Sequence, residues 1–273
     1  MKTIKILTCL FFMSLVSCNN EDAPSNNSQA ESNVLLKRYQ SYSIEPNTSE
    51  VLEEDYTYFY NGNKFNYRID NLNGEKLIFF YTGNLITKEE IRNSQNDLLA
   101  QIDYTYDTNG RVTFYKEESF DNGQIRFLTF EHLADGSVKS TSYNEQSSIP
   151  NGYAKLFFQN ENFVKRESYN DQNILLGTNT VTYDGKNNPF KNVVGANVYG
   201  LTDNRAAGDF VVGTTQNPLS FQSGGLGSNS FNIDNTYTYQ YNPLNFPIQE
   251  NYTSTNTFQS TTTSFSYRSI YTY

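Results

Sequence analysis

Apolar and polar residues alternate one for one in several runs of this chain, and each run is closed by a residue pair suited to a tight turn. In Ile102-Asp103-Tyr104-Thr105-Tyr106 the apolar members share one face, because strand side chains point alternately to opposite sides. Thr236-Tyr237-Thr238-Tyr239-Gln240-Tyr241 and Phe265-Ser266-Tyr267 repeat the pattern. Turn signals recur at Asn61-Gly62, Asn73-Gly74, Asn109-Gly110, Asn122-Gly123, Asp135-Gly136, Asn151-Gly152 and Asp184-Gly185. These pairs tolerate the positive φ that tight hairpins need. Neighbouring signals often lie 12 or 13 residues apart, which leaves room for one strand of average length. Strands joined in succession by short turns pair as antiparallel neighbours. Nothing in the body has helical periodicity of crossover length, and Glu89-Glu90-Ile91-Arg92 is no more than a local exception.

The expected fold class is therefore all-β: a long antiparallel meander of about a dozen strands, a curled sheet that twist closes partly or fully into a barrel. The chain carries 22 Tyr, 20 Phe and no Trp, with abundant Thr, Asn and Ser, a strand-former's inventory with turn residues between. A single all-β domain is expected over residues 33–273. Between 192 and 235 the alternation breaks around Gly195, Gly200, Gly208, Gly213 and Gly224-Gly225. An excursion of that length is expected to be either a binding surface or a crossover or plug that covers the end of the sheet.

The run Tyr104-Thr105-Tyr106-Asp107-Thr108-Asn109-Gly110-Arg111-Val112 resembles a YD repeat, the unit of the long sheets in RHS-type surface and toxin-shell proteins. Degenerate copies stand at Tyr58-Phe59-Tyr60-Asn61-Gly62-Asn63, Val181-Thr182-Tyr183-Asp184-Gly185-Lys186 and Tyr239-Gln240-Tyr241-Asn242-Pro243-Leu244. Such a unit cannot bury its aromatic face alone, so copies must stack side by side. The stretch 181–192, ending Asn187-Asn188-Pro189-Phe190-Lys191-Asn192, with Tyr239-Gln240-Tyr241-Asn242 and Pro247, is similar to a group of Gram-negative surface lipoproteins whose domain is described as porin-like. That resemblance implies a fold and a location, and no activity.

The N-terminus carries a different message. Met1-Lys2-Thr3-Ile4-Lys5, an apolar stretch from Ile6 to Val16 and then Ser17-Cys18 have the layout of an export signal over residues 1–17. The apolar stretch is about half the roughly 20 residues that cross a bilayer as a helix. Leu15-Val16-Ser17-Cys18 resembles the lipobox of bacterial lipoproteins, which implies Cys18 as the lipidation site; the alternative is an ordinary secreted protein cut near Ser17. Cys9 leaves with the signal, so no disulfide framework, thiolate nucleophile or cysteine metal site is available. Residues 18–32 are polar and acidic and are expected to form a flexible tether. The pair Glu21-Asp22 resembles the signal that sends some lipoproteins to the outer face of the outer membrane, a periplasm-facing position being the alternative. Loss of Lys2 and Lys5 with the signal takes the net charge from −9 to −11, which argues against nucleic acid and anionic headgroups as partners.

Standard catalytic equipment is sparse. The one His, His132, precedes the Asp135-Gly136 turn and is expected to be a turn-adjacent surface residue; no Gly-x-Ser-x-Gly elbow accompanies it. Carboxylates cluster at Glu53-Glu54-Asp55, Glu89-Glu90 and Glu117-Glu118, but neighbours on a strand face opposite ways, so a catalytic pair must come from different strands. Turns such as Asp107-Thr108-Asn109-Gly110 offer too few oxygens for calcium, and no cofactor motif is present. The expected function is a non-enzymatic binding or scaffold module anchored at the outer membrane by its lipid. Its expected partner is a glycan or surface protein, with exposed Tyr and Asn available to a sugar. The alternatives are a glycan-processing enzyme that uses two carboxylates and a true membrane barrel. Against the barrel stand a mean hydropathy of −0.64 and strand faces rich in Tyr and Thr.

Overall fold

The computed structural model describes residues 33–45, 49–144, 150–202, 214–226, 231–259 and 261–273. The expected signal, tether and Cys18 lie outside them. Sixteen antiparallel strands form one closed barrel in which each strand pairs with its sequence neighbours and the last returns to the first. The first eight are β1 Arg38–Ile44, β2 Val51–Asn61, β3 Lys64–Asp70, β4 Lys76–Thr82, β5 Leu85–Arg92, β6 Leu98–Tyr106, β7 Val112–Ser119 and β8 Ile125–His132. The others are β9 Val138–Asn144, β10 Pro150–Gln159, β11 Asn162–Tyr169, β12 Leu175–Tyr183, β13 Pro218–Gly225, β14 Phe231–Tyr241, β15 Pro247–Phe258 and β16 Thr261–Thr272. Closure through seven rungs from Arg38↔Thr272 to Ile44↔Ser266 leaves no free edge, so the sheet cannot recruit a further strand.

Five of the seven turn signals join paired strands: those at 61–62, 73–74, 109–110, 122–123 and 135–136. Asn151-Gly152 instead falls inside β10, where the register shifts between Pro150 and Tyr153. Gly152 has φ +112, and a Cβ there would lie 2.2 Å from the Tyr169 carbonyl, so the glycine admits a close backbone crossing where a turn was expected. Asp184-Gly185 opens the long excursion.

One five-residue turn recurs at both ends of the barrel. Asp107 accepts the N–H groups of Asn109 and Arg111 on one carboxylate oxygen, and Gly110 returns its N–H to the Asp107 carbonyl. Asn93, Asn170 and Asn242 do the same with their amide oxygens, and the fourth residue of each turn is Asn96, Asn173 or Asn245 at positive φ. These side chains stand in for a backbone turn, and Asn at the fourth position replaces Gly. Asn242→Ala removes two hydrogen bonds that position the β14–β15 turn and is expected to cost about 1–2 kcal/mol, whereas Asn242→Asp keeps both; urea unfolding of the two variants measures the difference.

The Tyr before such turns also repeats a contact. Tyr60, Tyr106, Tyr183 and Tyr239 donate their hydroxyls inward to the carbonyls of Leu36, Ile86, Phe163 and Pro218. His132 occupies the same place, half-buried, with Nε2 2.8 Å from the Val112 carbonyl. The expected surface His is thus a member of an inner ladder that ties alternate hairpins together.

Inner and outer walls differ in kind. Inward residues include Ile102, Tyr104, Tyr115, Leu128, Leu156, Val181, Phe221, Tyr237 and Tyr271, which belong to one buried cluster. The outer wall carries ion pairs along single strands: Lys88 and Arg92 flank Glu90 at 2.6 and 2.8 Å, and Lys116–Glu118 and Lys165–Glu167 both close at 2.6 Å. On β14–β16 the outward positions are Thr236, Thr238, Asn251, Thr253, Thr255, Ser264, Ser266 and Arg268. A charged group facing lipid at the bilayer midplane costs about 2–4 kcal/mol. This wall places charges or hydroxyls on most strands, with the exposed rings of Phe59 and Phe80 among them.

The excursion expected at 192–235 is displaced: β13 and the start of β14 fall within it, and the described linking segments are 184–202 and 214–217. Its neck is closed where Asn217 meets the Asp184 carboxylate, which also accepts the Tyr241 hydroxyl. Beyond the neck the chain turns into the barrel. Phe190, Val193, Ala196, Val198 and Thr202 are buried, through a 3-10 turn Ala196–Val198 and a helical turn Tyr199–Thr202. Gly195, at φ +83, lets this plug pass the wall where a Cβ would come within 3.1 Å of the Asn84 carbonyl and Ile86. Of the two roles expected for the excursion, its described part takes the plug.

Candidate ligand site in the barrel lumen

The plug enters at the end that carries the 107–111, 133–137 and 242–246 turns, and aromatic and aliphatic side chains fill that half of the lumen. Toward the opposite end the inward positions become polar: Arg68, Asp70, Glu117, Ser119, Arg126, Ser142, Arg166, Ser168, Asn179 and Ser223. A cavity of about 150 Å³ lies at the boundary between the two halves. Its wall includes Tyr58, Tyr104, Tyr115, Arg68, Arg126, Glu89 and Glu117, and Phe190, Tyr199 and Thr202 of the plug close one side. A cavity of roughly this volume holds one six-membered ring.

Register explains how two glutamates meet here. Ile102 on β6 faces Glu89 on β5 and Glu117 on β7, which places both carboxylates on one rung of the inner wall. Glu89, 2% exposed, accepts the Tyr104 hydroxyl at 2.7 Å and the Tyr199 hydroxyl at 2.6 Å, one from the wall and one from the plug. Burial, and then the Glu89 charge, push both phenols well above their ordinary pKa, so they remain donors. Glu117 accepts the Tyr115 hydroxyl at 2.8 Å and lies 3.6 Å from Arg126, whose guanidinium is also near the Tyr115 ring. Arg68 stacks on Tyr56 at 4.2 Å. Arg126 and Glu117 keep 36% and 23% of their side-chain surface exposed, so water and small solutes reach this wall.

The carboxylate doublets split as alternation requires: Glu89 and Glu117 turn inward, Glu90 and Glu118 outward to lysine. Asp55 pairs with Arg38 at 2.6 Å and Glu53 accepts the Ser43 hydroxyl. Sequence reasoning missed Glu250, which β15 buries beside Tyr271, a 2.8 Å donor, and whose pKa burial pushes up to about 7. Its signal was a charged residue at an inward position of an otherwise regular strand.

The barrel is similar to solved porin-like proteins. A crystal structure of a porin-like protein from Bacteroides uniformis superposes with a TM-score of 0.54 and 12% identity, over 88% of this chain and 97% of that one. A porin-like protein from Bacteroides vulgatus matches over 88% of this chain and 98% of its own, with 8% identity and a TM-score of 0.35. The first likeness shows the fold. No family model matches the sequence, nor does any curated protein.

Proposed function

We propose that this protein is a lipid-anchored, non-enzymatic binding module of the cell envelope, whose lumen takes a small polar ligand of the saccharide class. The observation that carries the reading is the pairing of an outer wall of charges and hydroxyls with a solvent-connected cavity that offers aromatic faces beside guanidinium and carboxylate groups. Sugars need both, apolar ring faces for stacking and fixed polar groups for their hydroxyls. Cys18 supplies the anchor and residues 18–32 the tether; several acyl chains are needed, since one gives only marginal binding. The acidic pair Glu21-Asp22 favours the outer face of the outer membrane.

Two measurements test this. Cys18→Ser is expected to move the protein from the membrane to the soluble fraction, and continued sedimentation with membranes would refute the anchor. Residues 19–273, incubated with a panel of glycans and read for retention and product masses together, are expected to retain a sugar without cleaving it. Cleavage products would establish instead the second reading, a glycan-processing enzyme, which the shared rung of Glu89 and Glu117 favours.

A further inference from the structure

Strands β14–β16 are longer than their neighbours. β1 pairs with β16 only as far as Ser266, and β13 pairs with β14 only as far as Asn232. Thr261–Phe265, Phe231 and the end of β15 therefore project beyond the rim, at the end opposite the plug. On the lumen side of this apron stand Phe231, Phe258 and Phe265, exposed by 38%, 53% and 48%. Large exposed rings grouped together mark a binding surface.

Farther in, three rings share one rung, Tyr237↔Tyr252↔Tyr267. Tyr267 lies 5.7 Å from Tyr252, and Tyr252 lies 5.0 Å from Tyr237, both pairs tilted by about 30°. Between the rings, on the same face, are Thr263, Asn256 and Ser254. Asn235, 1% exposed, stands on one rung with Ser254 and Phe265, one step nearer the rim than the tyrosine row.

We propose that the inner face of β14–β16 is an extended subsite for a linear oligosaccharide, running from the phenylalanine rim past Asn256 and Asn235 to the tyrosine row. Rings alternating with hydroxyl and amide groups match a chain of sugar units, each with an apolar face and polar edges. A lipid surface or a protein's apolar patch would leave those polar groups without partners. The polypeptide also enters the barrel at Arg38, at the plug end, so the apron is the end remote from the anchor.

This inference rests on the saccharide reading above, and the test separates the two. Calorimetry with the malto-, cello- and xylo-oligosaccharide series, monomer to hexamer, is expected to show affinity rising about tenfold or more with length in one series. The exposed pair Phe258→Ala/Phe265→Ala is expected to abolish that gain and leave monomer affinity unchanged. Monomer binding without a length gain, or a gain that survives the double substitution, overturns the extended subsite alone. No binding by any member overturns the saccharide reading with it.

Discussion

Glu89→Ala is expected to lower the unfolding free energy by about 3–5 kcal/mol and the melting temperature by roughly 6–15 °C. The glutamate is nearly sealed from solvent and is the shared acceptor for Tyr104 on the wall and Tyr199 on the plug. Alanine leaves two buried phenols without that acceptor and a void where the side chain stood, and each unsatisfied hydroxyl costs about 1–3 kcal/mol. Desolvation of the lost carboxylate works the other way, which is why the sum stays below the total of its parts. Glu89→Gln keeps one acceptor oxygen and is expected to lose less than half as much. The plug hangs on this latch, so limited proteolysis of Glu89→Ala should cut between 184 and 217 sooner than elsewhere. A melt within about one degree of the parent, with an unchanged cleavage pattern, would show that Glu89 does not hold the plug.

The barrel was legible because its information is local. Alternation in 102–106 and 236–241 assigned Tyr104, Tyr237 and Tyr239 to one face before any pairing was known, and that face is the lumen. Asx-Gly pairs located five hairpins. The turns at 93–97 and 170–174 escaped because Asn, not Gly, holds their left-handed residue, although Asx at the first position and Asn at the fourth would have found them. The strand count of about a dozen fell short of sixteen for that reason. Asn151-Gly152 misled in the opposite sense, since a bulge and a turn ask the same freedom of a glycine. In the 192–235 stretch, Pro218-Leu219-Ser220-Phe221 carries too little alternation to stand out as a strand, yet Phe221 is among the most deeply buried residues of the core.

The candidate site was less legible because it depends on register. Alternation says that Glu89 and Glu117 each leave the face their neighbours occupy, but only the pairing of both with Ile102 brings them to one cavity. Closure of the ring, which local sequence cannot encode, is what turns one face of a meander into a lumen. It also fixes that the ion pairs of Lys88, Glu90 and Arg92 face outward.

Glu250 tests the polarity of that lumen through pH. No ion pair to its carboxyl occurs among the described residues; burial raises its pKa from 4.5 to about 7, against the opposing effect of the hydrogen bond from Tyr271. Below pH 4.5 the group is protonated in the folded and unfolded chains alike and costs nothing. As pH rises from 4.5 to 7 the unfolded chain ionises first, so stability is progressively lost, and above 7 the full penalty of about 3 kcal/mol is in place. Glutamine keeps the carbonyl acceptor for Tyr271 and cannot ionise. Glu250→Gln is therefore expected to gain about 3 kcal/mol relative to the parent between pH 4.5 and pH 8, measured as the difference between their calorimetric stabilities. Carboxylates held low by their partners, Asp55 by Arg38 and Glu90 by Lys88, contribute stability that is lost only as pH falls below the ordinary carboxylate range. They are common to both proteins and cancel in the difference. Parallel pH profiles would mean that Glu250 is solvated, and that the lumen beside Tyr239 and Tyr271 holds water where the structure places packed rings.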